Sequence, residues 1–240
     1  MKRGIFVTAT DTGVGKTLVA SALAYLLKNQ GLDVGVMKPV ATGAKRGTQG
    51  FISEDAQLLM KAVGSQDPYQ LVNPICLPSP LAPMVAAQLD GQPIEPDRIW
   101  TAFKSLRKMH EFLVVEGIGG LLVPIMKDFY VADMARRMGL PLLIVSRPSL
   151  GTINHTLLTI EAARRRRLTI KGVVLNNTSP GGEEPGMQGL NKAEIERHSG
   201  VPILASIPYI TNLTEGSVSP AVYGALSPLL SHTIHSFISP

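Results

Sequence analysis

One stretch constrains this chain more than any other: Gly4 to Leu27, GIFVTATDTGVGKTLVASALAYLL. An apolar β-type run, Ile5 to Val7, feeds a Gly- and Thr-rich turn that ends in Gly15-Lys16-Thr17, and an apolar-periodic helix follows at once. Strand, turn and helix in that order make a phosphate cradle. Backbone N–H groups at the helix N-terminus point at the anion, the Lys ammonium neutralises it, and the Thr hydroxyl reaches a Mg²⁺ ion. Gly13 and Gly15 let the backbone wrap closely. The general pattern G-x-x-x-x-G-K-[ST] asks for Gly at position 10, where this chain has Thr10 preceded by Ala9. A bare GKT would be weak, but here the flanking strand and helix supply the context that gives the motif its meaning.

The remaining chain repeats the alternation. After the helix at 16–29, Asp33 to Met37 reads as a strand ending at Lys38-Pro39, and 41–53 as a mobile loop without periodicity. Ser53 is placed to cap a helix over Glu54–Val63. The proline-rich run 67–96 predicts a short strand, loops and one small helix at Pro83–Leu89, packed on the periphery because apolar residues are interleaved throughout. A helix over Pro96–Met109 precedes Phe112-Leu113-Val114-Val115-Glu116-Gly117, the pattern of a fully buried parallel strand with a carboxylate at its end. A helix at 131–138, a strand at 140–145, a long helix opening at Ser149-Leu150-Gly151-Thr152, a strand at 171–175 ending in Asn176-Asn177, an exposed loop at 178–189, a helix at 191–198, a strand at 202–207 ending in Pro208-Tyr209 and a weakly helical tail at 221–237 complete the reading. Strands alternating with helices at this spacing predict an α/β fold, a parallel twisted sheet with helices on both faces of the P-loop NTPase type. At 240 residues we expect one ATP-binding domain spanning 1–240.

Composition narrows the partners. Hydrophobic residues make up 45% and charged residues 17%, the balance of a globular protein and not of a disordered one. No apolar run approaches the roughly 18 residues a membrane span needs. The start Met1-Lys2-Arg3 resembles a signal peptide only until Asp11, and cleavage would remove the phosphate loop. The single Cys76 excludes an internal disulfide and fits a reducing, cytoplasmic setting; it reads as a small apolar filler. The net charge of +5 raises nucleic acid, yet the densest basic run, Arg164 to Arg167, points around the whole helix circumference and suits a helix C-terminus. We expect neither nucleic acid nor membrane as a partner. Trp100 and Tyr130 read as packing residues, His155 as a structural helix-face histidine, and His110, His198, His232 and His235 lack metal-ligand spacing.

Four strand ends carry polar groups toward one rim: the phosphate loop, Lys38, Glu116 with Gly117, Gly119 and Gly120, and Asn176-Asn177. Ligands in such sheets sit at the carboxyl ends of strands. Mg²⁺ prefers one or two carboxylates alongside phosphates and waters, and Thr17, Glu116 and a carboxylate of Glu54-Asp55 would supply that set.

At these residues the chain resembles the dethiobiotin synthetases. Ala9-Thr10-Asp11-Thr12-Gly13-Val14-Gly15-Lys16-Thr17 is similar to that family's GTDTxVGKT loop, and Lys38-Pro39-Val40-Ala41-Thr42-Gly43 to its KPVxSG motif. Ser53-Glu54-Asp55-Ala56 resembles its acidic helix start, Val115-Glu116-Gly117-Ile118-Gly119-Gly120 its VEGxGG, and Gly151-Thr152-Ile153-Asn154-His155 its GxINH. Asn176 and Pro208 match its adenine-side residues. The family has Gly where this chain has Ala9, a departure of little cost unless the Cβ crowds the loop.

The resemblance implies a reaction in which ATP, CO₂ and 7,8-diaminononanoate give dethiobiotin, ADP and phosphate with Mg²⁺. A carbamate forms on one amine, takes the γ-phosphoryl group on oxygen, and is closed to a cyclic urea by the second amine. It implies catalytic roles for Lys16, Lys38 and Thr12, and Mg²⁺ on Thr17, Asp55 and Glu116. It places ATP on Gly13, Val14, Gly15, Lys16, Thr17, Leu18, Asp55, Glu116, Gly117, Ile118, Gly119, Asn176, Asn177, Pro208, Tyr209, Ile210 and Glu215. The second substrate falls to Thr42, Gly151, Thr152, Ile153 and Asn154, the last four across the interface of a homodimer. A competing class, the P-loop regulatory or partition ATPases, carries an early lysine in KGGxGKT, where this chain has Thr10-Asp11-Thr12, and a basic amphipathic C-terminal helix; no Lys or Arg follows Glu215 here. A cobyrinate-type amidotransferase would need a glutaminase domain for which 240 residues leave no room.

Overall fold

The computed structural model describes residues 3–48, 50–180, 185–210 and 222–227. In chain order its elements begin with β1 (Arg3–Ala9), α1 (Lys16–Asn29), β2 (Val34–Met37), β3 (Val40–Ala41), β4 (Lys45–Gly47), β5 (Gly50–Ile52) and α2 (Glu54–Val63). The middle of the chain holds α3 (Tyr69–Val72), β6 (Ile75–Cys76), α4 (Pro83–Leu89), α5 (Pro96–Met109), β7 (Phe112–Glu116), β8 (Pro124–Met126) and β9 (Phe129–Tyr130). The rest is α6 (Val131–Met138), β10 (Leu142–Ser146), α7 (Thr152–Arg165), β11 (Ile170–Asn176), α8 (Pro185–Ser199) and β12 (Ile203–Ile207); residues 222–227 are also helical.

The central sheet is six-stranded in the order β12-β11-β10-β1-β7-β2, and every pairing in it is parallel. Side chains alternate across it because the strand period is two. On β1, Ile5, Val7 and Ala9 face one core with α1, α2 and Val222 and Leu226 of the 222–227 segment. Phe6, with Leu113 and Val115 of β7, faces the opposite core under α5 and α6, and Ile144, Val173 and Leu175 continue that face beneath α7 and α8. Strands buried on both faces read as continuous apolar runs, and that is why β1, β7 and β10 stand out in the sequence. The chain runs from β1 out to the β2 edge, returns to fill the gap with β7, and then crosses to β10. β1 therefore lies where the order reverses, the place where such sheets bind ligands.

Helix limits follow local chemistry. Ser53 Oγ accepts the Ala56 N–H at 3.4 Å to cap α2, and Gly64, at φ 57°, ends that helix in the left-handed region. α4 and α5 both start with proline at their first position, where a missing N–H costs nothing.

Three sequence expectations need correction. The 41–53 segment contains the antiparallel β4–β5 pair, whose few residues are too short for alternation to register. The proline-rich run holds an additional one-turn helix, α3, besides the expected strand and α4. α8 starts at Pro185, inside the segment read as loop; of that loop, 181–184 lie outside the described residues, as does most of the 221–237 tail. No helix among the described residues is long and apolar enough to cross a membrane.

Candidate active site

Register brings the first two site residues together. Met37 of β2 pairs with Val115 of β7, so Lys38 and Glu116, each one residue further on, leave the sheet side by side. Val7 of β1 pairs with Glu116 itself, which sets the carboxylate at the mouth of the phosphate loop. Lys38 Nζ donates to Glu116 Oε1 at 2.6 Å, to Asp55 Oδ2 at 2.7 Å and to the Gly117 carbonyl at 3.2 Å. All three protons of the ammonium are thereby used.

The Thr17 hydroxyl lies 2.8 Å from Asp55 Oδ1 and 2.8 Å from Glu116 Oε1. A hydroxyl has one proton and serves one acceptor at a time, so two carboxylates compete for it. Glu116 Oε2, in a fully buried side chain, has no hydrogen-bond partner among the described residues. The cluster thus carries more acceptor capacity than donors, with Glu116 and Lys38 buried and Asp55 half-exposed at its rim. Of the adjacent acids, Glu54 turns outward to pair with Lys45 while Asp55 turns in.

Electrostatics follow from burial. Burial pushes the Glu116 carboxyl up; the Lys38 charge pulls it back, Asp55 pushes it further, and it stays above the usual range. Burial works against the Lys38 ammonium, but Glu116 and Asp55 outweigh it and hold that lysine above its ordinary value. For Asp55, burial is overcome by the charge and hydrogen bond of Lys38, so its carboxyl is held down. Lys16 is pushed down to about 8, first by burial and then by the charge of Lys38; its ammonium contacts the Asp11 carbonyl at 3.3 Å.

The phosphate loop is clamped from the far side. Asn176, at the end of β11 and 1% exposed, donates from Nδ2 to the Val14 carbonyl at 2.9 Å. Gly15 takes φ 89°, and a Cβ there would sit 2.1 Å from Asn176 Nδ2. The amide expected to read a base is thus already engaged by the loop through one donor. Ala9 is fully buried, joins the core, and has no positive φ, so its Cβ is accommodated. Leu18 packs partly buried on the core under the loop.

A second buried polar group lies across β1. Ser146 Oγ is 3.3 Å from Thr10 Oγ1, 3.1 Å from Thr152 Oγ1 and 3.0 Å from Thr156 Oγ1. The side chain of Thr152 therefore points into the fold, while Gly151 caps α7 at φ 93°, Ile153 is half-buried and Asn154 and His155 are exposed.

The other expected residues occupy the rim. Thr12 is exposed, its N–H donating to Asp11 Oδ1 at 2.7 Å, and Gly119 faces it: a Cβ there would lie 3.6 Å from Thr12 Oγ1. Thr12 borders a cavity of about 410 Å³ shared with Gly120, Leu122, His155 and Leu158. Thr42 and Ile118 are half-buried. Asn177 donates its N–H to the Ile207 carbonyl at 3.0 Å, and Pro208, Tyr209 and Ile210 continue from that strand end. Glu215 lies outside the described residues.

Sequence reasoning missed three participants. Arg147 pairs with Asp11 at the loop entrance; Ser146 is the hydroxyl hub; and Asn73, 3% exposed, donates to the Lys38 carbonyl at 2.7 Å. Only Arg147 and Ser146 had a signal, as polar residues closing the apolar run 142–145. Among the described residues no group of three or more His, Cys, Asp or Glu side chains could hold a metal, so any cation here would rest on two carboxylates and a hydroxyl with ligand oxygens completing its shell.

Known proteins resemble this chain over most of its length. The profile of the AAA domain family matches residues 3–217. The ATP-dependent dethiobiotin synthetase BioD of Thermodesulfovibrio yellowstonii is 38% identical over 225 residues, 91% of this chain and 93% of that protein. The same enzyme of Anaeromyxobacter dehalogenans is 44% identical over 207 residues, 86% and 90% of the two chains. In fold, the chain is similar to the septum site-determining protein MinD of Pyrococcus horikoshii complexed with Mg-ADP (TM-score 0.59, 17% identity, 98% and 97% covered). It is also similar to a ParA family ATPase of Chlorobium tepidum (TM-score 0.55, 15% identity, 97% and 93% covered).

Proposed function

The chain belongs to the family of ATP-dependent dethiobiotin synthetases, and from that premise we infer that it is the ligase that closes the cyclic urea of dethiobiotin from 7,8-diaminononanoate, CO₂ and ATP. One observation carries the reading: the acceptor surplus of buried Glu116 with Asp55 and the Thr17 hydroxyl, beside a phosphate loop and a lysine. Those oxygens are hard donors and fit Mg²⁺, which keeps one or two carboxylates and takes its other ligands from phosphates and waters. When bound, Mg²⁺ supplies neutralising charge to the β- and γ-phosphates.

The chain's own residues do the positioning. Phosphoryl transfer asks little covalent work of the protein, and most of the acceleration comes from alignment and charge. Lys16 has donors to spare for phosphate oxygens: among the described residues its ammonium donates to the Asp11 carbonyl. Lys38, kept protonated by its two carboxylates, offsets the carbamate as the γ-phosphoryl group approaches. Thr12 and Thr42 donate hydroxyls to carbamate oxygens. Gly13, Val14, Gly15 and Leu18 wrap the phosphates, Gly117, Ile118 and Gly119 floor the nucleotide, and Asn176, Asn177, Pro208, Tyr209 and Ile210 border the base, with Glu215 on the ribose. The α7 start, Gly151 to Asn154, takes the substrate carboxylate of a second subunit. Support for that homodimer comes from Leu150, Leu158 and Leu122, exposed at 97%, 56% and 48% around the α7 start and the Thr12 cavity. We place the enzyme in the cytoplasm as one domain.

The partition-ATPase reading has the fold likeness alone. Purified protein given Mg-ATP, bicarbonate and the diamine should release phosphate only when the diamine is present, with dethiobiotin detected by mass spectrometry. Diamine-independent hydrolysis without that product would overturn the assignment in favour of a switch ATPase.

A further inference from the structure

Lys38 and Asp55 meet at 2.7 Å, yet they come from the end of an edge strand and from a helix that packs on it through apolar side chains and is joined to it in sequence only through the β3–β5 excursion. Something must fix their separation. The backbone of Lys38 is held at both ends: its N–H donates to the Val72 carbonyl at 2.8 Å, and its carbonyl accepts from Asn73 Nδ2 at 2.7 Å. The same Asn73 amide also donates to the Ile75 carbonyl at 3.1 Å, so both its N–H groups are used.

Its oxygen leads to the other partner. Tyr69 Oη, one turn back on α3, donates to Asn73 Oδ1 at 3.1 Å and accepts the Ser53 N–H at 2.7 Å. Ser53 is the cap of α2, two residues before Asp55. The path Lys38 carbonyl, Asn73 amide, Tyr69 phenol, Ser53 N–H is continuous and ties the backbones behind the two charged groups to one short helix. The phenol is neutral at physiological pH, and burial pushes it further up, to about 12, so it retains both a proton to give and a lone pair to accept. The Cys76 thiol also lies against the phenol, but sulfur is a weak partner and leaves the Asn73 oxygen the better acceptor.

We propose that Tyr69 and Asn73 are positioning residues that set the distance between Lys38 and Asp55, and through it the alignment of the transferring group. The proposal rests on the function inferred above for Lys38 and Asp55. Neither residue touches the reacting atoms; both act through the backbones that carry them. A misplacement of 1 Å in such a site costs on the order of 10²-fold in rate, so loosening a backbone tether should cost roughly tenfold.

The test compares Tyr69→Phe, which keeps the ring and removes the hydroxyl, with Asn73→Asp, which keeps the acceptor and removes the donor to Lys38. Gln70→Ala, on the exposed side of the same helix turn, is the control. In the diamine assay both variants should lose roughly tenfold in kcat with KM for ATP little changed, while Gln70→Ala matches the parent. A second readout needs no turnover: the Mg²⁺ concentration for half-maximal binding of a fluorescent ATP analogue should rise in both variants. If the parent makes no dethiobiotin, the functional reading falls while this binding measurement still judges the tether. A lowered Tm with kcat and Mg²⁺ dependence unchanged in either folded variant would reduce the pair to scaffolding and overturn the proposal.

Discussion

Two buried polar clusters flank β1 at the carboxyl end of the sheet, and they are built on opposite rules. On the β7–β2 side, Lys38, Glu116, Asp55 and Thr17 form a charged group with one carboxylate oxygen left over. On the β10 side, Thr10, Ser146, Thr152 and Thr156 are neutral and satisfy one another through the Ser146 hub. A closed hydroxyl network completes the fold, whereas a cluster with spare acceptors is arranged for something that arrives later. An unpaired buried acceptor is costly, and folding alone gives no reason to keep it.

The sharpest way to break this contrast is Lys38→Met. We expect diamine-dependent turnover to be lost while nucleotide still binds, and stability to fall by about 3–5 kcal/mol in urea titration because the Glu116 charge loses its partner. Adding Glu116→Gln should recover most of the stability and none of the activity. Retained turnover in Lys38→Met would remove the charged cluster from the reaction.

Glu116→Gln alone comes next. It leaves Lys38 with Asp55 and the Gly117 carbonyl, so the fold should persist while the Mg²⁺ requirement for activity rises; an unchanged Mg²⁺ titration would count against the spare oxygen. Ser146→Ala should act in the reverse sense. Three threonine hydroxyls lose a partner, at about 1–3 kcal/mol in thermal or urea unfolding, with kcat unaffected; a large fall in kcat would show that the hydroxyl cluster is not merely closed structure.

The smallest effect is expected at the other end of the sheet. His110 Nδ1 is 2.8 Å from Asp33 Oδ1 and its Nε2 3.1 Å from Asp67 Oδ2. Burial opposes the imidazolium, but the bonds to Asp33 and Asp67 outweigh it and raise the His110 pKa. A raised pKa contributes stability that is fully present below the unfolded value near about 6.5 and is lost as pH rises through the folded value. The Tm difference between the parent and His110→Asn should therefore be largest in mild acid and shrink with rising pH, with activity alike at each pH. A difference that grew with pH would refute the assignment.

The sequence made the charged cluster legible because its members end buried strands or follow a motif. Lys38 and Glu116 close apolar runs, and Lys16-Thr17 opens a helix behind a strand. α1, α2, α4, α5 and α6 are readable from end to end because proline, Ser53 or glycine marks most of their limits. The tether residues were not readable. Tyr69 and Asn73 lie on a single turn inside a proline-rich run, too short for periodicity, and their partners are 16 and 35 residues away. The residues alone do not separate Glu54 from Asp55; the resemblance names Asp55, and the helix phase turns that side chain toward Lys38 while Glu54 faces Lys45. The engagement of Asn176 with Val14 had no local sign, since it spans 162 residues.

The short β3–β6 pair has a consequence for how these molecules coexist at high concentration. β2 is the edge strand of the six-stranded sheet, and the chain that leaves it pairs Val40–Ala41 with Ile75–Cys76 in a separate two-stranded sheet. That added strand is two residues long and stands between Pro74 and Pro78, neither of which has an N–H to offer. A third chain seeking to extend the ladder finds no run of donors. The proline-rich segment so placed is a poor template for edge-to-edge pairing, and it is also an irregular stretch that no periodicity could have announced.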